Sequence, residues 1–119
     1  MRGMLQTARE PDEMVTAARY PLQQPGTRYG FTEVAQRHGD FALVALAAAV
    51  DDRSIRFAAG GVGGVPQVVE WRDLAGDDLA AALNEFAWQL DAQDDAHASA
   101  VYRRHLVRVL GQQLVERLR

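Results

Sequence analysis

Hydrophobic and polar positions change period halfway along the chain. Residues 41–50 (FALVALAAAV) contain no polar side chain, residues 51–53 interrupt them with two aspartates and an arginine, and residues 54–59 resume an apolar pattern. A short apolar run bounded by turn-forming residues predicts a strand, a turn and a returning strand, hence a β-hairpin. Helix propensity of the alanines competes with that reading; the run's length and its flanks, Gly39 and Asp51-Asp52, favour strand. After the glycine-rich stretch 60–66 (GGVGGVP), residues 67–71 predict one more short extended piece. Upstream, residues 13–20 are compatible with a short strand ending at Pro21. Residues 31–38 fit a short helix stopped at Gly39, where a left-handed cap is well placed. Residues 1–12 hold no sustained period and read as a lead-in, leaving 13–119 as the domain.

In the second half the period becomes helical. Leu79, Leu83, Phe86 and Leu90 recur at spacings of four, three and four, one stripe of a helix that Asp77 or Asp78 can cap. From about residue 98 to 118, Tyr102, Leu106, Val109, Leu110 and Leu114 form a broad apolar arc, with Asp94 or Asp95 near its positive end. Strands first and helices second predict an α+β domain: a small antiparallel β-sheet of about three strands packed against a bundle of about three helices.

At 119 residues, one core is expected rather than two. Hydrophobic residues at 48% and charged residues at 24% match an ordinary globular chain, not a disordered one. The net charge of -3 argues against nucleic acid and against an anionic membrane surface as principal partner. All 13 basic residues are arginine, which excludes lysine Schiff-base chemistry within the chain. The absence of cysteine excludes a thiol nucleophile and any cysteine-ligated zinc or iron–sulfur cluster held by this chain. No apolar run is long enough to span a bilayer and no basic segment precedes an apolar one at the N-terminus, so a cytoplasmic location and no membrane partner are expected.

Candidate chemistry is sparse. The GGVGGVP run resembles a phosphate-binding loop only superficially, because Pro66 and an extended stretch follow it instead of a helix N-terminus. A turn permitting close backbone approach is the simpler reading. Asp91, Asp94, Asp95 and His97 match no metal-ligand spacing, and carboxylates just before a helix are explained by capping. His38 and His105 have no nucleophile in a recognisable setting, so no catalytic residue is assigned. Trp88 points away from the Leu79–Leu83–Phe86–Leu90 stripe; either another element covers it or it anchors a partner. Arg103, inside the apolar arc of the last helix, calls for a carboxylate such as Asp94 or Asp95.

Three stretches in order, residues 29–44 (YGFTEVAQRHGDFALV), 60–66 (GGVGGVP) and 94–110 (DDAHASAVYRRHLVRVL), together resemble the C-terminal domain of the FAD-binding (medium) subunit of molybdenum hydroxylases. That family includes carbon monoxide dehydrogenase and xanthine dehydrogenase. The resemblance runs from about residue 13 to the end. It implies a small antiparallel sheet with a helical bundle, following a larger domain whose glycine-rich loops hold most of the FAD; no such loops occur here. It implies that Phe31, Arg37, Asp40 and Phe41 contribute to one wall of the isoalloxazine pocket. The phenylalanines would offer apolar faces, and Arg37 and Asp40 would shape the loop; core packing is the competing role for both aromatics. Some relatives carry a lysine just after the aromatic, where Thr32 and Glu33 stand here.

The implied function is that of a stand-alone domain completing the pocket of an FAD shared with a separate FAD-binding domain, in an electron-transfer complex. An iron–sulfur subunit and a molybdopterin subunit would be its other partners, and a homo-oligomer is compatible with it. Two alternatives stay open. One is a flavin-free assembly module docking a partner through Trp88 and the arginine-rich last helix (Arg103, Arg104 and Arg108). The other is a small enzyme reusing the pocket around Arg37, His38 and Asp40 for another ligand.

Overall fold

An alternation masked by the alanines of residues 44–60 becomes visible once these residues pair. In the computed structural model, which describes residues 7–74 and 76–119, strands β1 (Arg28–Val34), β2 (Val44–Val50), β3 (Ser54–Gly60) and β4 (Gln67–Arg72) form one antiparallel sheet in the order β1-β2-β3-β4. The β2–β3 register sets Leu46 opposite Ala59, Ala48 opposite Phe57 and Val50 opposite Ile55. All six are buried on one face together with Val44, whereas Ala45, Ala47, Ala49, Arg56 and Ala58 lie on the other. Asp51 closes the hairpin: its Oδ1 accepts from the N–H groups of Arg53 (2.8 Å) and Ser54 (2.7 Å), and its Oδ2 from the Ser54 hydroxyl (2.7 Å). Hairpin and fourth extended piece are as the sequence predicts.

Two upstream readings are corrected. Residues 31–38 are not helical: they enter strand β1, which ends at Val34, and continue as a turn through Gly39 (φ +90°). Pairing along the whole of β2, from Arg28 opposite Val50 to Val34 opposite Val44, outweighs the weak local preference. Residues 13–20 form no strand, because no described neighbour pairs with them; they are exposed. Among the described residues regular structure begins at Arg28, and the first half of the expected lead-in, residues 1–6, lies outside them.

Helices α1 (Leu79–Gln89) and α2 (Ala100–Leu118) cover the buried face, with a single 3-10 turn, Gly76–Asp78, leading into α1. Among the described residues the count is therefore four strands and two helices: the third helix expected is replaced by β1. In α1 the expected stripe is the buried one, Leu79, Leu83 and Phe86 with Leu90 just beyond. Asp78 occupies the N-cap position, but its side chain makes no capping bond. In α2, Ser99 caps, its Oγ accepting from Tyr102 N–H at 3.2 Å, and Asp94 Oδ1 accepts from Ala100 N–H at 2.6 Å.

The buried side of α2 differs from the predicted arc. It consists of Arg103, Leu106, Val107, Gly111, Leu114 and Val115, while Tyr102 and Val109 face water. An arginine and a glycine stand where an apolar stripe would be sought. Gly111 is required by contact: a Cβ there would lie 2.9 Å from Phe57 Cζ and 3.0 Å from Leu83 Cδ2. Phe57 is thereby free to meet Phe86 edge-on with centroids 5.8 Å apart, and Trp71 packs on both rings. No helix among the described residues is long and apolar enough to cross a membrane.

Candidate functional site

The β1–β2, β3–β4 and α1–α2 connections gather at one end of the sheet, and Arg103 joins them. Its side chain is nearly fully buried, at 4% exposure. Nη1 donates to the main-chain carbonyls of Leu43 (2.6 Å) and Gly61 (2.8 Å), and Nη2 donates to Asp95 Oδ2 (2.5 Å). The Asp95 pair expected from sequence is present; the two carbonyl contacts, which together with that pair link three separate loops, were missed. Their only sequence signal is an arginine inside an apolar helical arc.

Asp95 is itself fixed by backbone. Its Oδ1 accepts from His97 N–H (2.8 Å) and Ala98 N–H (2.9 Å). The N–H of Ala98, then that of His97, and then the Arg103 guanidinium hold its carboxyl down from 3.8 to about 2. The His97 Nδ1 lies 3.2 Å from Gln36 Oε1, tying the α1–α2 connection to the β1–β2 loop. Asp94 and Asp95 thus act as capping and anchoring groups, and no cluster of three or more potential ligands among the described residues could hold a metal ion.

The glycine-rich run works by close approach. Gly61 has φ +76°, and a Cβ there would come within 2.6 Å of the Ala42 carbonyl oxygen. One residue on, the Val62 carbonyl accepts from Gln93 N–H at 3.3 Å. Strand β4 follows directly, so no helix N-terminus is presented to a phosphate.

On this framework the residues expected to meet a flavin are all exposed. Phe31 projects from the uncovered face of the sheet, opposite Ala47, with 59% of its surface in water; Phe41, in the β1–β2 loop, has 77%. Neither belongs to the core. Arg37 and Asp40 belong to the same loop, whose turn is closed by the main chain, Asp40 N–H donating to Arg37 O at 3.1 Å. Their side chains are exposed, as is that of His38.

A second surface lies on the helical hairpin. Trp88 of α1 is 64% exposed. The guanidinium of Arg104 stands 4.9 Å from the centre of its ring, within cation–π range. Next to this pair, Arg108 Nη1 donates to Asn84 Oδ1 at 3.1 Å. The tertiary structure therefore brings Trp88, Arg104 and Arg108 onto one face.

These features define an α+β domain in which a four-stranded antiparallel meander is backed on one side by a helical hairpin, with its other side open. The crystal structure of quinoline 2-oxidoreductase from Pseudomonas putida 86 contains a similar fold: the match has a TM-score of 0.66 and 24% sequence identity over 79% of this chain. The matched region is 37% of that chain, so this protein spans little more than a third of its length. No family model matches the sequence, and no curated protein matches it.

Proposed function

We propose that this domain completes the flavin pocket of an oxidoreductase complex of the molybdenum hydroxylase type, in association with a separate FAD-binding domain. The observation that carries the proposal is the position of Phe31 and Phe41. Both aromatic side chains are left in water, although burying each would be worth roughly 1.5–3 kcal/mol. Two uncovered phenylalanines, one on the open sheet face and one in the same loop as the exposed Arg37 and Asp40, suit the ring end of a flavin held against a partner domain. The same chain has no loop suited to pyrophosphate, so the phosphate end falls to the partner. Similarity of fold to part of a quinoline 2-oxidoreductase chain and the sequence resemblance in residues 29–44, 60–66 and 94–110 support the same reading.

FAD, when bound, would accept electrons from iron–sulfur clusters in a second subunit, downstream of a molybdopterin subunit. This chain's part is confined to positioning. Phe31 and Phe41 would exclude water from one side of the ring, and Arg37 and Asp40 would make polar contacts at its edge. Arg103 keeps the Phe41 loop docked through the Leu43 carbonyl.

The test is purification of the tagged protein from its native host at low salt, with an absorption spectrum and identification of co-purifying chains. Flavin and iron–sulfur bands with an FAD-domain protein support the reading. A colourless protein without a flavoprotein partner overturns it. In the assembled complex, Phe31→Ala with Phe41→Ala should weaken flavin retention or alter its visible spectrum, while the circular dichroism of the isolated domain stays unchanged.

A further inference from the structure

Residues 7–27, ahead of β1, form an arm carrying apolar side chains that no other described residue covers. Met14, Val15, Tyr20 and Leu22 are between 72% and 86% exposed. The radius of gyration, 15.6 Å, exceeds the roughly 13.5 Å of a compact domain of this length, as a projecting arm requires. The arm also carries a charged turn of defined shape. Glu13 N–H donates to Glu10 O (3.1 Å), Glu10 N–H donates to Glu13 Oε2 (2.9 Å), and Arg9 Nη1 donates to the carbonyls of Glu10 and Glu13. Glu10, Asp12 and Glu13 thus sit on one short turn, and among the described residues none of these carboxylates forms an ion pair.

The Trp88 face has the opposite character. Arg104 and Arg108 are not ion-paired among the described residues, Trp88 is exposed beneath Arg104, and Val101 on α2 is 70% exposed. Arg104 Nη2 also donates to Leu90 O, which places this face at the loop-rich end of the sheet. The arm enters β1 at Arg28, at the other end of the sheet, beside the Asp51–Ser54 turn.

We propose that the arm of one copy docks on the helical hairpin of a second copy. The acidic turn Glu10–Asp12–Glu13 lies against Arg104 and Arg108, and Met14 and Val15 cover Trp88 and Val101. Charge complementarity selects this occupant: a turn with three carboxylates against the one guanidinium of Arg9, next to two apolar residues, meets two guanidiniums next to an indole and a valine. A two-fold arrangement makes the contact twice, each copy giving an arm and receiving one. Apolar burial supplies most of the affinity, and the exposed charge pairs set register and salt dependence.

Sedimentation equilibrium of the full chain over a range of concentration and salt tests this. The expected result is a dimer that weakens as salt rises. Met14→Asp with Val15→Asp, and separately Arg104→Glu with Arg108→Glu, should each raise the dissociation constant by roughly tenfold or more. Combining Arg104→Glu and Arg108→Glu with Glu10→Arg and Asp12→Arg, which leaves the Glu13 carboxylate that closes the turn in place, should restore the dimer. All these side chains lie outside the core, so circular dichroism and thermal unfolding serve as fold controls. A wild-type monomer at every concentration overturns the proposal. A dimer that ignores either set of substitutions overturns it as well, the arm set in particular removing the arm as occupant. Neither result depends on flavin, so this proposal fails or stands separately from the one above.

Discussion

Arg103 and Leu43, sixty residues apart in the chain, are joined by a 2.6 Å hydrogen bond from the guanidinium Nη1 to the main-chain carbonyl. The same nitrogen serves Gly61, and Nη2 serves Asp95, so one buried side chain satisfies backbone oxygens of two loops and carries its own counter-charge from a third. Sheet connections that would otherwise be separate become one unit with the start of α2.

Arg103→Met should lower the unfolding free energy by about 2–4 kcal/mol, because two carbonyls lose their donor and Asp95 loses its cation. Arg103→Lys should recover little of this, since a single ammonium cannot reproduce a planar fork reaching three acceptors. Urea unfolding of both variants checks the expectation. Losses under roughly 0.5 kcal/mol, the size typical of a surface change, would contradict it.

Gly111 sits in the interior of α2, where replacement by alanine normally gains about 1 kcal/mol of helix propensity. Here the sign should reverse. The added methyl would lie 2.9 Å from the Phe57 ring and 3.0 Å from Leu83, and overpacking of a core costs roughly 1–3 kcal/mol. A melting temperature for Gly111→Ala below that of the wild type is expected; a rise would show that the ring can move aside.

Acid should expose the Asp95 linkage. Its folded value of about 2 lies below the ordinary 3.8, so the unfolded chain holds this proton more tightly. The stability it contributes is fully present above about pH 4 and is lost as pH falls from about 4 towards 2. Asp95→Asn should therefore flatten the fall of melting temperature with pH in that window. Identical acid limbs for the two proteins would exclude the linkage.

Much of the architecture was readable along the chain. The hairpin followed from an apolar run broken by Asp51-Asp52-Arg53, and α1 followed from Leu79, Leu83, Phe86 and Leu90, because each pattern is local and complete. Strand β1 was not readable. Its inward side is Gly30, Thr32 and Val34, only one of them strongly apolar, and its identity comes from pairing with β2. The phase of α2 was misjudged for a related reason: Arg103 and Gly111 occupy the buried side and are recognisable as core only when Leu43, Gly61 and Phe57 stand opposite them.

The candidate site divides in the same way. Phe31, Arg37, Asp40 and Phe41 could be picked out in the sequence, but whether the phenylalanines were core or surface could not, since an apolar residue beside a turn serves either role. Exposure of Phe31 is decided by the one-sided placement of the helices, and that of Phe41 by its place in the β1–β2 loop. Composition by itself settles that this chain holds no cysteine-bound cluster and uses no lysine chemistry, and local period settles the hairpin and the first helix. Only the tertiary structure places Arg104 over Trp88, opens one face of the sheet and closes three loops around Arg103. Those relations depend on groups far apart in sequence, whose meeting is fixed by packing and hydrogen bonding rather than by any pattern along the chain.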